Sequence, residues 1–221
     1  MAEMTNGIQR LSPVSFEGVP ADVEDRNGWK VILKYNNEGD GPYLVDLSHK
    51  PRWDAQDGRL DALQPGGMTI PPSPGQCGFK DGLLVNRMNR TQAAVWQLKR
   101  TSSIMPAEPA YTDVTESTVF LSLFGRHTFG IAEKLSALDF SGTENKIPFL
   151  LQGPFSHVPC QVVTLEKHKG DTGGGILLTC SRGYARSMVH AILNAGREFD
   201  VRPAGEQTFL DWFNAVKNSL H

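Results

Sequence analysis

The chain has 221 residues, of which 39% are hydrophobic and 21% are charged, and this is enough apolar sequence to bury a core of ordinary size. Its 22 Lys and Arg residues nearly balance 24 Asp and Glu residues, so a net charge of -2 indicates neither a nucleic-acid partner nor general disorder. Three widely spaced cysteines, a polar N-terminus and the lack of any window near ~20 apolar residues predict a cytoplasmic protein without disulfides that does not enter a membrane.

The first half of the chain predicts strands separated by a long loop. Residues 1–26 have mixed polarity and are predicted to form a surface arm. Strands are expected at 29–33, after the turn pair Asn-Gly, and at 43–48. A short polar helix or turn follows at 57–63, and four prolines and four glycines make 64–78 a loop.

A hairpin and a connector come next. The apolar runs 83–88 and 93–98 are separated by Asn-Arg-Thr-Gln, a pattern typical of a β-hairpin. Residues 99–112 are rich in Ser, Thr, Pro and Ala, which predicts a connector between two parts of the chain. The strand pattern then begins again.

The second half predicts strand, helix, strand, strand, helix. Strands are expected at 119–124, 161–166 and 176–180, and apolar residues at helical spacing predict a helix over 128–138. The turn-rich tip 167–175 joins two of these strands. Ser181 is predicted to cap a helix. Its core stripe is Tyr184, Met188, Ile192, Ala195 and Phe199, and a final amphipathic helix covers about 205–220.

Three patches carry a family resemblance. They are Tyr43-Leu44-Val45-Asp46-Leu47-Ser48-His49, then Asp81-Gly82-Leu83-Leu84-Val85-Asn86-Arg87, and finally Cys180 to Phe199 with the following Arg202-Pro203-Ala204-Gly205. In this order and at this spacing the chain resembles the glycine-cleavage T-protein superfamily, and the third patch resembles the gamma subunit of heterotetrameric sarcosine oxidase. The superfamily binds a reduced folate and handles one-carbon units.

The resemblance implies a fold and a division of the chain. It implies an α+β protein in which two related small α/β units, about 27–100 and 113–202, join into one compact folate-binding body spanning 27–221. The C-terminal amphipathic helix, about 205–220, would pack on this body. Residues 1–26 would remain a separate N-terminal arm.

One departure from the family pattern bears on activity. T-proteins resemble this chain at the second patch but carry two successive acidic residues, where this chain has Asp81-Gly82. The second acidic residue of that pair is the one implied in orienting the folate, so its replacement by Gly82 favours a subunit of a larger complex over an active aminomethyltransferase. The single helix predicted after the last strand also favours a subunit of a larger complex.

Four residues are candidates for contact with tetrahydrofolate. Asp81 is a weak catalytic candidate and a contact for the pterin or amine, although a carboxylate at a turn is more often solvated. Arg182 and Arg186 share a helix face near free backbone amides and suit the carboxylates of a folate tail. Tyr184 lies between them and joins the set of folate contacts. Solvated arginines, or arginines that contact a partner subunit, remain the alternative.

Other motifs are weaker. Strand alternation places Asp46 and Ser48 on one face and His49 on the other, which does not support a Ser-His-Asp hydrolase and favours bonds from Asp46 or Ser48 to nearby amides. The glycines at 173–175 lie between strands and lack the spacing of a phosphate loop. No two histidines have metal-ligand spacing, so no metal site is predicted.

Three functions remain open. The first is a folate-fold subunit, similar to the sarcosine oxidase gamma chain, acting in oxidative demethylation of a methylamine-type substrate. The second is a free-standing tetrahydrofolate-dependent aminomethyl- or methyltransferase, and the third is a scaffold with the same fold that binds no folate. Protein partner subunits or a homo-oligomer are expected, because Leu210 and Trp212 are predicted to leave an apolar patch on the last helix.

Overall fold

A computed structural model describes residues 9–99, 104–142, 144–167 and 173–220. Within these ranges the chain forms thirteen strands and three α-helices, which confirms the expected α+β class. The first eight residues of the predicted arm, part of the predicted 99–112 connector and most of the predicted tip at 167–175 lie outside the described residues.

The elements follow one another closely along the chain. The strands are β1 (Pro20–Arg26), β2 (Trp29–Tyr35), β3 (Tyr43–Asp46), β4 (Arg52–Gln56), β5 (Cys77–Lys80), β6 (Leu83–Arg87), β7 (Gln92–Gln97), β8 (Tyr111–Asp113), β9 (Thr118–Phe124), β10 (Phe149–Phe155), β11 (Val158–Glu166), β12 (Gly175–Ser181) and β13 (Arg202–Ala204). The helices are α1 (Thr128–Glu133), α2 (Ala185–Ala195) and α3 (Glu206–Val216).

The strands form two large sheets and one hairpin. The six-stranded sheet has the order β10-β11-β12-β9-β3-β13, and the five-stranded sheet has the order β5-β6-β7-β4-β8. Neighbours are antiparallel except β13 and β3, which run parallel. Strands β1 and β2 make a separate antiparallel hairpin, so the second part of the predicted arm is a strand.

Three layers of apolar side chains hold these elements together. Helices α1 and α2 pack on one face of the six-stranded sheet. Its other face packs on the five-stranded sheet, where Trp96 meets Phe120 with ring centres 5.1 Å apart, and α3 adds Phe209 and Phe213 to the same layer. The remaining face of the five-stranded sheet is covered by Leu60 and Leu63 from the predicted short helix or turn, and by Met68 and Ile70 from the predicted loop.

The sequence pattern did not predict several of the strands, because their own residues are not typical of strands. Strand β4 has Arg52 and Asp54 between apolar residues, and its charged composition resembles a loop. Strand β10 contains Gly153 and Pro154, which are tolerated because it is the edge of its sheet. The predicted hairpin 83–98 is confirmed as β6 and β7.

The start of the second helix differs from the prediction. Ser181 ends strand β12, and a 3-10 turn at Arg182–Tyr184 separates it from α2, so Ser181 makes no capping bond. Tyr184 is 50% exposed, because the buried face of α2 consists of Ala185, Met188, Val189 and Ile192. The prediction that Tyr184 belongs to the core stripe is therefore wrong, whereas Met188 and Ile192 are confirmed.

The last helix also differs from expectation. Leu210 packs against the inter-sheet layer, and Trp212 stacks on Phe124 with ring centres 4.5 Å apart. The indole N–H of Trp212 donates to Glu166 Oε2 at 3.0 Å. The predicted exposed apolar patch is thus absent at these two residues, because α3 lies on the sheet with a wider face than its simple stripe suggests.

Strand β2 and helix α3 approach so closely that their junction accommodates only a glycine. A Cβ atom added to Gly205 would lie 2.2 Å from the carbonyl oxygen of Leu33 and 2.5 Å from the amide nitrogen of Lys34. The φ of Gly205 is -87°, so the requirement concerns space and not backbone conformation. The α3 N-terminus and the β1–β2 hairpin are therefore positioned against each other backbone to backbone.

We expect Gly205→Ala to lower the free energy of unfolding by about 1–3 kcal/mol, because backbone atoms must move to admit the methyl group. Gly183→Ala is the matched control, since a Cβ there would meet nothing within 4 Å. Urea denaturation of both variants and the parent measures the difference. A Gly205→Ala variant as stable as Gly183→Ala would show that the β2–α3 approach is looser than described.

Candidate functional site

A cavity of about 340 Å³ lies between the β1–β2 hairpin, the segment before it and the end of strand β3. Its wall comes from β2, from residues 12–20, and from Asp46, His49 and Ala204. A volume of this size falls within the range of small-molecule sites. Aromatic rings of Phe16, Trp29 and Tyr35 supply flat apolar surface, while Ser12, Lys30, Asp46 and His49 supply polar groups.

Asp46 is held in place by two donors. Ser12 donates its hydroxyl to Oδ2 at 2.5 Å, and the amide of Ser48 donates to Oδ1 at 2.9 Å. Ser48 in turn accepts a hydrogen bond from the amide of Phe120 at 3.1 Å. The prediction that Asp46 or Ser48 bonds amides near the strand end is confirmed for Asp46, whereas the Ser48 hydroxyl bonds an amide of strand β9.

His49 does not lie where strand alternation placed it. Strand β3 ends at Asp46, so the alternation stops before His49 and both side chains line the same cavity. The imidazole bonds Glu206, while the Ser48 hydroxyl bonds the amide of Phe120. Ser48, His49 and Asp46 therefore make no catalytic triad, in agreement with the sequence prediction.

Behind the cavity lies a buried cluster of charges centred on Glu206, whose side chain is 0% exposed. Its Oε1 accepts from Lys50 Nζ at 2.6 Å, from Arg26 Nη1 at 3.0 Å and from His49 Nε2 at 3.1 Å. Arg26 Nη2 lies 2.8 Å from Oε2 and also bonds Glu24. Helix α3, the turn after β3 and strand β1 are thereby joined at one carboxylate.

The protonation states of this cluster follow from burial and charge. Burial alone would raise the pKa of the Glu206 carboxyl, but the His49 hydrogen bond and the cations Lys50 and Arg26 outweigh it and hold this pKa well below its usual range. Burial lowers the pKa of His49, and the charge of Lys50 adds to this effect. Since an ionised carboxylate only accepts, neutral His49 must carry its proton on Nε2.

Arg52 holds the turn that presents His49 and Lys50. Its guanidinium donates to the carbonyl oxygens of Lys50 at 2.6 Å, Thr115 at 2.5 Å and Thr118 at 3.1 Å, and it lies 5.0 Å from the centre of the Phe120 ring. Burial lowers the pKa of Arg52 to about 9, so the group remains charged at neutral pH. The turn is fixed by a buried cation whose partners are mostly carbonyl oxygens.

A second, smaller cavity of about 60 Å³ lies beside the first, and Trp29 and His49 line both. Its other lining residues are Arg10, Arg26, Asn27, Lys50, Pro51, Lys99, Asp113 and Thr115. Lys99 belongs to this lining beside Lys50, whose Nζ donates to the Lys99 carbonyl oxygen at 3.1 Å, while the Lys99 side chain lies along the turn at Asp81-Gly82. Neither Glu206 nor Glu24 is among the lining residues.

The structure places Asp81 away from both cavities. Asp81 and Gly82 form the two-residue turn between β5 and β6, with φ values of 53° and 82°, as expected for a type I′ hairpin. The Asp81 side chain is 81% exposed, and Lys99 Nζ lies 3.8 Å from it. A Cβ at Gly82 would lie 2.2 Å from Lys99 Cγ. The backbone geometry of this turn therefore requires glycine independently of the function of the protein.

The other three predicted site residues lie around the start of α2. Arg182 donates to the carbonyl oxygen of Leu11, the residue before Ser12 in the wall of the first cavity. Tyr184 and Arg186 are exposed on the turn and the first turn of the helix. The structure therefore brings Arg182 near the N-terminal wall of the cavity and does not bring Asp81 together with the arginines.

Sequence reasoning missed the residues that form the buried cluster. Glu206 is an acidic residue in the first turn of a helix, a common surface pattern, and nothing in its neighbours marks it as buried. Lys50 and Arg26 lie in charged segments that resemble exposed loops. Of the residues in the cluster, only His49 lies in one of the three patches that carry the family resemblance.

The arrangement suits binding better than proton transfer. Asp46 already accepts two hydrogen bonds and Glu206 accepts from three side chains, so the two carboxylates nearest the cavity are engaged. A general base must reach the proton that it removes. The cavity offers aromatic walls and polar anchors for a ring system instead.

Comparison with known proteins supports the fold alone. No family model and no curated protein matches the chain. Among solved structures, one chain of heterotetrameric sarcosine oxidase from Corynebacterium sp. U-96, solved in complex with pyrrole 2-carboxylate, matches with a TM-score of 0.58 at 15% identity. The match covers 72% of this chain and 85% of that chain. The structure also contains, in the residues it describes, no helix long and apolar enough to cross a membrane.

We expect Glu206→Gln to lower the free energy of unfolding by about 3–5 kcal/mol, because it leaves the buried Lys50 ammonium without its carboxylate. Adding Lys50→Met to this variant should restore part of the loss by removing the unpaired charge. Glu116→Gln is the control, since it breaks only an exposed pair with Arg10 and should cost about 0–1 kcal/mol. Equal losses in Glu206→Gln and Glu116→Gln would contradict the buried cluster.

The lowered pKa of His49 predicts a loss of stability on acidification. As the pH falls through about 6.5, the unfolded chain protonates this histidine while the folded chain does not. The stability that neutral His49 contributes to the folded state is therefore complete above that pH and declines below it. His49→Gln should flatten this part of the stability profile between about pH 8 and about pH 5. His190→Gln, at an exposed position of α2, is the matched control. Parallel profiles for the two variants would rule out the assignment.

Proposed function

We propose that this chain is a non-catalytic subunit of an oxidoreductase complex that demethylates a methylamine-type substrate, in the manner of the sarcosine oxidase gamma chain. The observation that carries the proposal is the fold match, which spans 85% of one chain of a heterotetrameric sarcosine oxidase. A match over most of that chain supports a similar role in an assembly. The partners in this proposal are other protein subunits.

The proposal includes the two-unit arrangement implied by the sequence resemblance. Residues 27–100 and 113–202 would be the two related α/β units. The C-terminal helix, described as Glu206–Val216, would join them, since its side chains pack into the layer between the two sheets. Residues 9–26 would then be an accessory segment that closes the first cavity, because Ser12 and Val14 line it.

We further propose that the first cavity takes the pterin ring of a reduced folate. Trp29, Phe16 and Tyr35 supply surface for a flat ring. Asp46 lies in the wall, and a carboxylate can accept from the adjacent amino and ring N–H groups of a pterin in place of the Ser12 hydroxyl. Tetrahydrofolate would be a bound ligand of the subunit under this proposal.

Three of the four site residues predicted from the sequence would lie at the rim of the first cavity. Arg182 bonds the backbone next to Ser12 and, with Arg186 and Tyr184 on the same exposed turn, would meet the tail of a folate that leaves the cavity. Asp81 lies at a separate turn. Its role as a contact requires the ligand or a partner subunit to reach that turn.

Folate binding can be tested on the isolated chain. Titration with 5-formyltetrahydrofolate, a stable reduced folate, should quench tryptophan fluorescence because Trp29 lines the cavity. Asp46→Asn should weaken binding about tenfold, since a charged acceptor is lost, whereas Asp81→Asn should have no effect. Loss of binding in Asp81→Asn alone would move the site to the β5–β6 turn. Lack of quenching would favour the scaffold that binds no folate.

The assembly is tested separately. A tagged chain recovered from its native cells should co-elute with other protein subunits in a complex that oxidises a methylamine-type substrate, and reduced folate binding is not needed for that result. A chain that elutes alone would contradict the subunit role. Turnover of tetrahydrofolate by the isolated chain with a methylamine-type donor would favour the free-standing transferase instead.

A further inference from the structure

Two of the three cysteines face each other across neighbouring strands. Strands β11 and β12 run antiparallel, and the pair at this end of their ladder is Gln161 with Thr179. The next residues outward are Cys160 and Cys180, which the same register places opposite each other. Both belong to the apolar cluster under helices α1 and α2, so their side chains leave the sheet on the same face. Both thiols are free.

This register brings the two cysteines within reach of a disulfide bond. Directly opposed residues of antiparallel strands have Cα atoms ~4.5–5.5 Å apart, and disulfides join Cα atoms at ~4.4–6.8 Å. The Cβ atoms of such a pair, at ~4.5–5.5 Å, are more widely spaced than the ~3.5–4.5 Å found in disulfides. Closing the bond must therefore draw the strands together, and a strained disulfide is readily reduced.

The two thiols differ in acidity because they bond each other. The Cys160 thiol donates a hydrogen bond to the Cys180 sulfur, which lowers the pKa of Cys180 against the opposing effect of burial. The same hydrogen bond, together with burial, raises the pKa of Cys160. Since the thiolate is the nucleophilic form of cysteine, Cys180 is the reactive member of the pair and Cys160 is the thiol beside it.

The pair lies near the surface, at the ends of its strands. Cys160 is 6% exposed and Cys180 is 5% exposed, but their chain neighbours Pro159 and Ser181 are both exposed. A small oxidant such as hydrogen peroxide, which is little larger than water, needs only a slight opening at this position. A bulky disulfide such as oxidised glutathione needs much more room.

Cys77 provides the contrast within the same chain. It lies on strand β5 opposite Asn86, and its side chain packs against the layer between the two sheets. Burial raises the pKa of its thiol. A buried cysteine of this kind behaves as a small apolar residue. Cys77 thus lacks both the opposed thiol and the lowered pKa that distinguish Cys180.

We infer that Cys160 and Cys180 form a reversible disulfide when the chain meets peroxide, and that this pair is a redox-sensitive site at the end of strand β12. A disulfide that forms and breaks in this way is the usual kind in a reducing compartment. The pair lies in strands β11 and β12, outside both cavities. Its oxidation therefore requires neither a folate nor a partner subunit.

The chemical step consumes one peroxide molecule. The Cys180 thiolate attacks one oxygen of hydrogen peroxide, the O–O bond breaks, and hydroxide leaves while Cys180 becomes a sulfenic acid. The Cys160 sulfur then attacks the Cys180 sulfur, the S–O bond breaks, and the leaving hydroxyl takes the Cys160 proton and departs as water. The proton first lost by Cys180 neutralises the hydroxide. Two electrons pass from the two thiols to peroxide, which ends as two water molecules.

Peroxide treatment of the folded full chain tests the pair. Alkylation in denaturant and peptide mapping should show a linkage between the Cys160 and Cys180 peptides, the loss of two of the three free thiols, and an alkylated Cys77. Dithiothreitol should restore all three thiols. Cys160→Ala should abolish the linkage and let Cys180 oxidise further to a sulfinic acid. Cys77→Ala is the matched control and should form the linkage at the rate of the parent.

The parent chain alone can contradict the pairing, so the test holds even if Cys160→Ala does not fold. Three alkylatable thiols after treatment, equal oxidation of Cys77 and Cys180, or a sulfinic acid at Cys180 without any linkage would each overturn it. Circular dichroism of the treated chain serves as the control for folding. A linkage that appears only after the chain has unfolded would also overturn the assignment, because the strands would not have positioned the thiols.

Discussion

The placement of the Glu206 carboxylate determines how the N-terminal hairpin, the turn after β3 and helix α3 meet. A carboxylate removed from water is stable only when it is paired, and here Lys50, Arg26 and His49 all donate to it. Arg26 comes from strand β1, and His49 and Lys50 come from the turn after β3, so the cluster joins two distant segments to helix α3 and has strict geometric requirements. Burial of a charge in this way contributes little net stability but makes alternative packings costly.

A second carboxylate reinforces the same junction. Glu38 lies in the connection between β2 and β3 and accepts hydrogen bonds from the amides of Tyr35 at 2.7 Å and Gly205 at 2.9 Å, as well as from the Thr208 hydroxyl. The N-terminus of α3 is thereby satisfied by a side chain from a distant part of the chain, and the negative charge is favourable there. The two cavities exist because the hairpin is held at this fixed distance from the body.

The turn at Asp81-Gly82 shows how a single glycine can support two interpretations. In the sequence interpretation, Gly82 takes the place of an acidic residue in the T-protein pattern that the chain resembles. In the fold, φ is 82° and Lys99 lies against the turn, so glycine is required by the local geometry. Both interpretations agree with a chain whose cavity carboxylates are engaged in hydrogen bonds and whose likeness to a sarcosine oxidase chain lies in the fold.

The sequence by itself determined the elements whose residues alternate or repeat strongly, such as β6, β7, β9, β11 and β12, and the faces of α2 and α3 that carry Ile192 and Phe209. These patterns are local, because the periodicity of a strand or helix is visible within its own residues. The tertiary structure alone decided that β4 and β10 are strands, that Trp212 is packed, and that Lys50 and Glu206 are buried partners 2.6 Å apart. These two residues are 156 positions apart, and a charged side chain shows whether it is solvated or paired only when distant segments have come together.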